Sequence, residues 1–198
     1  MKIAIDINDV IRDFSQNFVR YYIEGYNHEY DLSDFEFWTN DMEALFPFKS
    51  ERDFHNFLYN DFAFELFARC DVKERGLETK LNKWLEDVIA DIDTDEPIEV
   101  MLVSTKEYGN SIGYTYFFLS KLGTKIREIY FPTHSEKIWD RCDVLITANP
   151  LLLDLKPEGK KSIKIKAEYN KDNEADYTYT SLSSFLEEKN NTEILLKQ

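Results

Sequence analysis

The chain's 198 residues carry 24 basic against 38 acidic side chains, a formal charge of −14, and 43% of them are hydrophobic. That length and apolar content suffice for one well-cored domain with a small insertion and exclude a disordered chain; the acidity excludes general binding to nucleic acid or to an anionic membrane, which need a basic footprint. No apolar run approaches the roughly 20 residues of a membrane span, the N-terminus runs straight into a short apolar strand rather than a signal peptide, and Cys70 and Cys142 stand in no metal spacing, which predicts buried free thiols in a reducing cytoplasm.

Met1 to Ile5 form a β-branched run ending at Asp6, which predicts a buried strand. Residues 10–24 follow with Ile11, Phe14, Phe18, Tyr21 and Tyr22 at helical spacing. Residues of about 27–72 are aromatic and acidic with no strand pattern, so 15–75 is expected to be an inserted helical cap, with 1–14 and 76–190 forming the core and 191–198 a polar tail. Gly76 to Asp91 predicts an amphipathic helix with Leu77, Leu81, Trp84, Leu85, Val88 and Ile89 on one face, followed by a polar turn through Pro97. The pattern then alternates regularly: a strand over Glu99–Val103, a helix over Ser111–Leu122 closed by Gly123, a strand over Ile126–Phe131, a short helix over Glu136–Arg141, strands over Asp143–Ile146 and Ser162–Lys166, and a last helix over Leu182–Lys189. Such alternation predicts an α/β fold, a parallel sheet covered by helices on both faces.

In an open parallel sheet, ligands sit beyond the carboxyl ends of the strands. Three strand ends carry chemistry here: Asp6-Ile7-Asn8-Asp9, Ser104-Thr105-Lys106, and Thr147-Ala148-Asn149-Pro150, with Lys137 on the short helix before the last of these. An acid, a hydroxyl and an ammonium converging at one sheet edge suit phosphate chemistry: the carboxylate attacks phosphorus and the other two hold the oxygens. Asp9 follows Asn8, and in an extended segment its side chain points to the opposite side.

These segments, in this order, resemble the haloacid dehalogenase (HAD) superfamily, in particular its 5'(3')-deoxyribonucleotidase branch. The first motif there is Asp-x-Asp-Gly-Val, here Asp6-Ile7-Asn8-Asp9-Val10. The second is an apolar strand ending in Ser or Thr, here Val100 to Ser104, then Thr105. The third is a lysine, matched by Lys137, thirteen residues ahead of Pro150. The fourth is an apolar strand ending in two acids, here Val144 to Ile146, then Thr147-Ala148-Asn149-Pro150. The resemblance spans about residues 1–190 and implies a HAD-like Rossmannoid core with a helical cap after the first strand. It implies Asp6 as nucleophile, position 8 as the general acid, Ser104, Thr105 and Lys137 as phosphate ligands, and Phe37 and Trp38, within Phe35-Glu36-Phe37-Trp38, against a nucleotide base.

The departures change the expected function. Asn8 cannot donate a proton at neutral pH, and general acid catalysis is worth roughly 10²–10⁴ in rate. Thr147 and Ala148 stand where the family places the Mg²⁺-binding acids, leaving Asp6 and the neutral Asn8 as ligands, so Mg²⁺ binding is expected to be weak or absent. Without the ion, a phosphate near Asp6 meets about 4 kcal/mol of repulsion per charge pair at about 4 Å. The expectation is a cytoplasmic, catalytically impaired nucleotidase-like protein that keeps a pocket for a nucleoside monophosphate or other small anion. An active deoxyribonucleotidase-like phosphohydrolase working through an aspartyl phosphate, and a protein-interaction module with a collapsed site, are the alternatives.

Overall fold

A computed structural model describes residues 1–31, 36–90, 97–188 and 191–196. Phe35 and most of the expected polar turn before Pro97 lie outside the described residues. Six strands form one all-parallel, Rossmann-like α/β sheet: β1 (Lys2–Asp6), β2 (Glu99–Val103), β3 (Glu128–Tyr130), β4 (Val144–Thr147), β5 (Lys161–Ile165) and β6 (Tyr177–Tyr179), in the order β3-β2-β1-β4-β5-β6. The central strand β1 alternates its side chains between two cores. Ile3 and Ile5 face an apolar layer with α5 (Leu77–Ala90), α6 (Asn110–Leu122) and α8 (Leu182–Leu186). Ala4 faces Met101, Leu145, Trp139 and Leu152, the last from α7 (Pro150–Asp154). Both faces are thus covered, which is why the central strands read as near-continuous apolar runs.

The segment between β1 and β2 contains α1 (Phe14–Gly25), α2 (Met42–Leu45), α3 (Glu51–Asn56) and α4 (Ala63–Phe67), with a π-turn over Phe57–Asp61 joining the last two. It has its own aromatic core, in which Phe18 lies 5.0 Å from the Phe46 ring and 5.1 Å from that of Phe57. Gly25 makes room for the Phe62 ring just past the π-turn, since a Cβ there would stand 2.1 Å from it and push the ring aside. The chain leaves and re-enters the sheet side by side: Asp13 N–H donates to the Asp71 carbonyl and Lys73 N–H to that of Ile11.

Four elements differ from the sequence expectation. α1 begins at Phe14 because the chain after β1 first turns back on itself, Ile11 and Arg12 N–H both donating to the Ile7 carbonyl. α7 and β6 are additional. The expected polar tail includes α9 (Asn191–Leu196), where Leu195 is buried in the main core and the Lys161 ammonium donates to the carbonyls of Ile194 and Leu195. Among the described residues no helix is long and apolar enough to cross a membrane. Cys70 and Cys142 are free and buried, and burial pushes both thiols up to about 12.

Candidate functional site

The parallel register decides what meets at the carboxyl edge. Asp6 pairs with Val103, and Ile5 with Ile146, so the ends of β1, β2 and β4 are level. Thr147 Oγ1 donates to Asp6 Oδ2 at 2.7 Å and accepts from Asn149 N–H at 3.0 Å. Asp6 Oδ1 is buried and has no hydrogen-bond partner among the described residues. Burial, above all, pushes the Asp6 carboxyl up to about 7; the Asp9 charge adds to this, while the Thr147 hydroxyl and the nearby backbone N–H groups oppose it.

Asn8 is held by Arg12. Its Oδ1 accepts from Arg12 Nε at 2.9 Å and Nη2 at 2.6 Å, and its Nδ2 donates to Ser104 Oγ at 3.3 Å. The Arg12 side chain is fully buried, as is that of Glu107, its partner at 2.8 Å. Glu107 Oε1 also accepts from Ser104 Oγ at 3.0 Å and Thr115 Oγ1 at 2.7 Å, while Arg12 Nη1 donates to Thr115 Oγ1 and the Phe67 carbonyl. Ser104, expected as a phosphate ligand, therefore spends its hydroxyl inside this network.

Asp9 corrects the extended-chain argument. Its φ is +59°, a left-handed conformation, so its carboxylate lines the same cavity as Asp6. Both oxygens are occupied: Oδ1 accepts from Ser15 N–H at 2.8 Å, and Oδ2 from the Ser15 hydroxyl and, at 2.9 Å, the Tyr169 hydroxyl.

Lys137 does not line this cavity. Its 3₁₀ turn, Ser135–Ile138, buries Ile138 in the second core and turns Lys137 outward, where its half-exposed ammonium pairs with Asp140. Lys106, three residues past the end of β2, is the lysine that lines the cavity. Its ammonium donates to the Asn40 carbonyl of the cap, and burial lowers its pKa, opposed by the charges of Asp41, Asp9 and Asp6. Thr105, Asn8, Asn149, Phe14, Asn40 and Tyr169 complete the lining of the cavity. Its volume is about 20 Å³, room for about one water. Phe37 and Trp38 line a separate outer groove, bordered by Glu36, Glu168, Lys171 and Asp172, which touches the cavity through Tyr169. Trp38 is 66% exposed.

The residues do not fit a divalent ion. Mg²⁺ takes six oxygens in near-ideal octahedral geometry. Asp6 offers one unengaged oxygen, both Asp9 oxygens are in use, Asn8 Oδ1 faces a guanidinium, and Asn149 Oδ1 caps α7 by accepting from Leu151 N–H. Among the described residues no group of three or more His, Cys, Asp or Glu could hold a metal.

Tyr169, Asn40, Arg12 and Glu107 are site residues that the sequence reading left without a role. Tyr169 lies in a one-turn 3₁₀ helix, Glu168–Asn170, with no motif around it, and Asn40 follows Trp38 by two residues without a pattern of its own. Arg12 and Glu107 carried a signal only in position, each within four residues of a candidate motif residue. No protein-family model matches the chain, and no curated protein matches it either.

Proposed function

We propose that this chain is a HAD-type, deoxyribonucleotidase-like protein that has lost phosphatase chemistry, acts in the cytoplasm, and keeps a nucleotide-type site, the outer groove of Phe37 and Trp38 beside the small cavity over Asp6, for a nucleoside monophosphate or similar small anion. The observation that carries the reading is the engagement of position 8. The Asn8 amide is bound at both ends, by Arg12 and by Ser104, so the group at the acid position neither carries a transferable proton nor is free to approach a leaving oxygen. Loss of the Mg²⁺ ligands acts in the same direction, at a different step.

The test is hydrolysis of deoxynucleoside monophosphates with Mg²⁺, with Asp6→Asn as control, alongside calorimetry of the same nucleotides. Expected are measurable binding and turnover far below the ordinary enzyme range of about 1–10³ s⁻¹. Turnover within that range, abolished in Asp6→Asn, would establish an active phosphohydrolase instead. The small volume of the cavity favours a second reading, an interaction module whose site is shut; absence of nucleotide heat together with absence of turnover would select it.

A further inference from the structure

We propose that the Lys106 ammonium is the resident cation of this site, taking the electrostatic place of a divalent ion and excluding one. The inference rests on the reading of the site as phosphohydrolase-derived. Three observations carry it. First, the cavity gathers carboxylates: Asp6 and Asp9 line it, and Asp41 lies within electrostatic reach of the same ammonium. Buried carboxylates crowded together need a positive partner, and Lys106 is the cationic side chain among the described lining residues. Arg12, the other buried cation nearby, is committed to Glu107.

Second, Lys106 is built in rather than loosely extended. Its ammonium is bonded to the Asn40 carbonyl, and its own backbone carbonyl accepts from the Tyr59 hydroxyl at 3.2 Å. One residue of the core is therefore tied to the cap through both side chain and main chain. Third, the replacement at the end of β4 is complementary. Thr147 supplies a hydroxyl donor to Asp6, where an acid would have required a cation of higher charge. One ammonium in the cavity and one hydroxyl donor on Asp6 stand where an ion of charge +2 and the two acids of the fourth motif would have stood. A divalent ion entering this space meets a positive charge fixed within it.

Thermal unfolding with EDTA, Mg²⁺ or Mn²⁺ tests this directly, in the full chain and four variants: Thr147→Asp alone, Thr147→Asp with Lys106→Ala, Thr147→Asp with Lys106→Arg, and Thr147→Asp with Lys106→Met. Neither the natural chain, nor Thr147→Asp, nor the Arg variant is expected to shift with metal. Thr147→Asp with Lys106→Ala is expected to rise by about 3 °C or more at saturating ion. A metal-dependent shift in the natural chain overturns the proposal, as does an equal shift with and without Lys106, or none in the folded Lys106→Ala double variant. If that variant does not fold, Thr147→Asp with Lys106→Met, which keeps the side chain's bulk without its charge, must show the shift instead. Because metal binding is read without nucleotide, an active phosphatase or a failure to bind nucleotide leaves this result separate.

Discussion

Asp6 is a carboxylate placed where its charge is costly. Below about pH 4 it is protonated in both folded and unfolded chains, and it contributes nothing to pH dependence. Its folded pKa is raised to about 7, so between about pH 4 and 7 the folded state holds a proton that the unfolded chain has lost. Stability from this group therefore falls as pH rises through that window and is level above it. Asp6→Asn is expected to stabilise the protein at pH 8 by about 2–4 kcal/mol, with the gain vanishing near pH 4. Urea unfolding of both proteins across this range measures it, and a pH-independent difference would refute the assignment. At this scale the sequence was legible where strand ends dictate position: Asp6 and Thr147 meet because parallel strands end level. It was not legible at Asp9, whose left-handed backbone breaks the alternation, nor in the choice of lysine. Spacing favoured Lys137, whereas the burial of Ile138 turned that side chain away.

Among the elements, the buried network of Arg12, Glu107, Asn8, Ser104 and Thr115 joins the turn after β1 to the loop and helix after β2. Arg12 also lies over the rings of Phe67 and Phe118, 5.0 and 5.5 Å from their centroids, so the cation is enclosed by apolar surface as well as hydrogen-bonded. Removing one member of a buried pair leaves the other charge stranded. Arg12→Met and Glu107→Leu are each expected to cost about 3–5 kcal/mol. The double variant should cost clearly less than the sum, because each single change already includes the stranded partner. Chemical denaturation of the cycle reads the coupling, and strict additivity would mean that the two do not act as a pair. None of this was visible from the chain alone, since a lone Arg and a lone Glu 95 residues apart carry no periodicity. The elements themselves were legible in proportion to length and punctuation. α6 ends where Gly123 adopts φ +71°, and α5 shows its buried face as an apolar stripe. α7 is a single turn started by the Asn149 cap and Pro150, and β6 is three residues at the sheet edge, too short for any period to emerge.

At the scale of the whole molecule the described residues form three apolar clusters, one on each face of the sheet and the aromatic core between β1 and β2, and the aromatic one is tied differently from the sheet. The sheet core is held by continuous parallel pairing across six strands. The aromatic core has no strand among its described residues, and it meets the sheet layer through Arg12 to the Phe67 carbonyl, Lys106 to Asn40, Tyr59 to the Lys106 carbonyl, the two backbone bonds at its neck, and the packing of Phe64 in α4 against Tyr114 and Phe117 of α6. Units whose contacts are mostly local open below the global free energy. Phe18 is fully buried at the centre of the aromatic cluster, so Phe18→Ala removes packing there worth about 3–5 kcal/mol without touching a strand. Native-state hydrogen exchange should then show amides of α1, α3 and α4 exchanging roughly 10²–10³-fold faster. Amides of β1, β2 and β4 should keep most of their protection. Uniform loss across both sets would mean that the insertion and sheet unfold as one unit. The cavity over Asp6 would then be closed permanently by the fold, because the cap could not open apart from the sheet that positions the site.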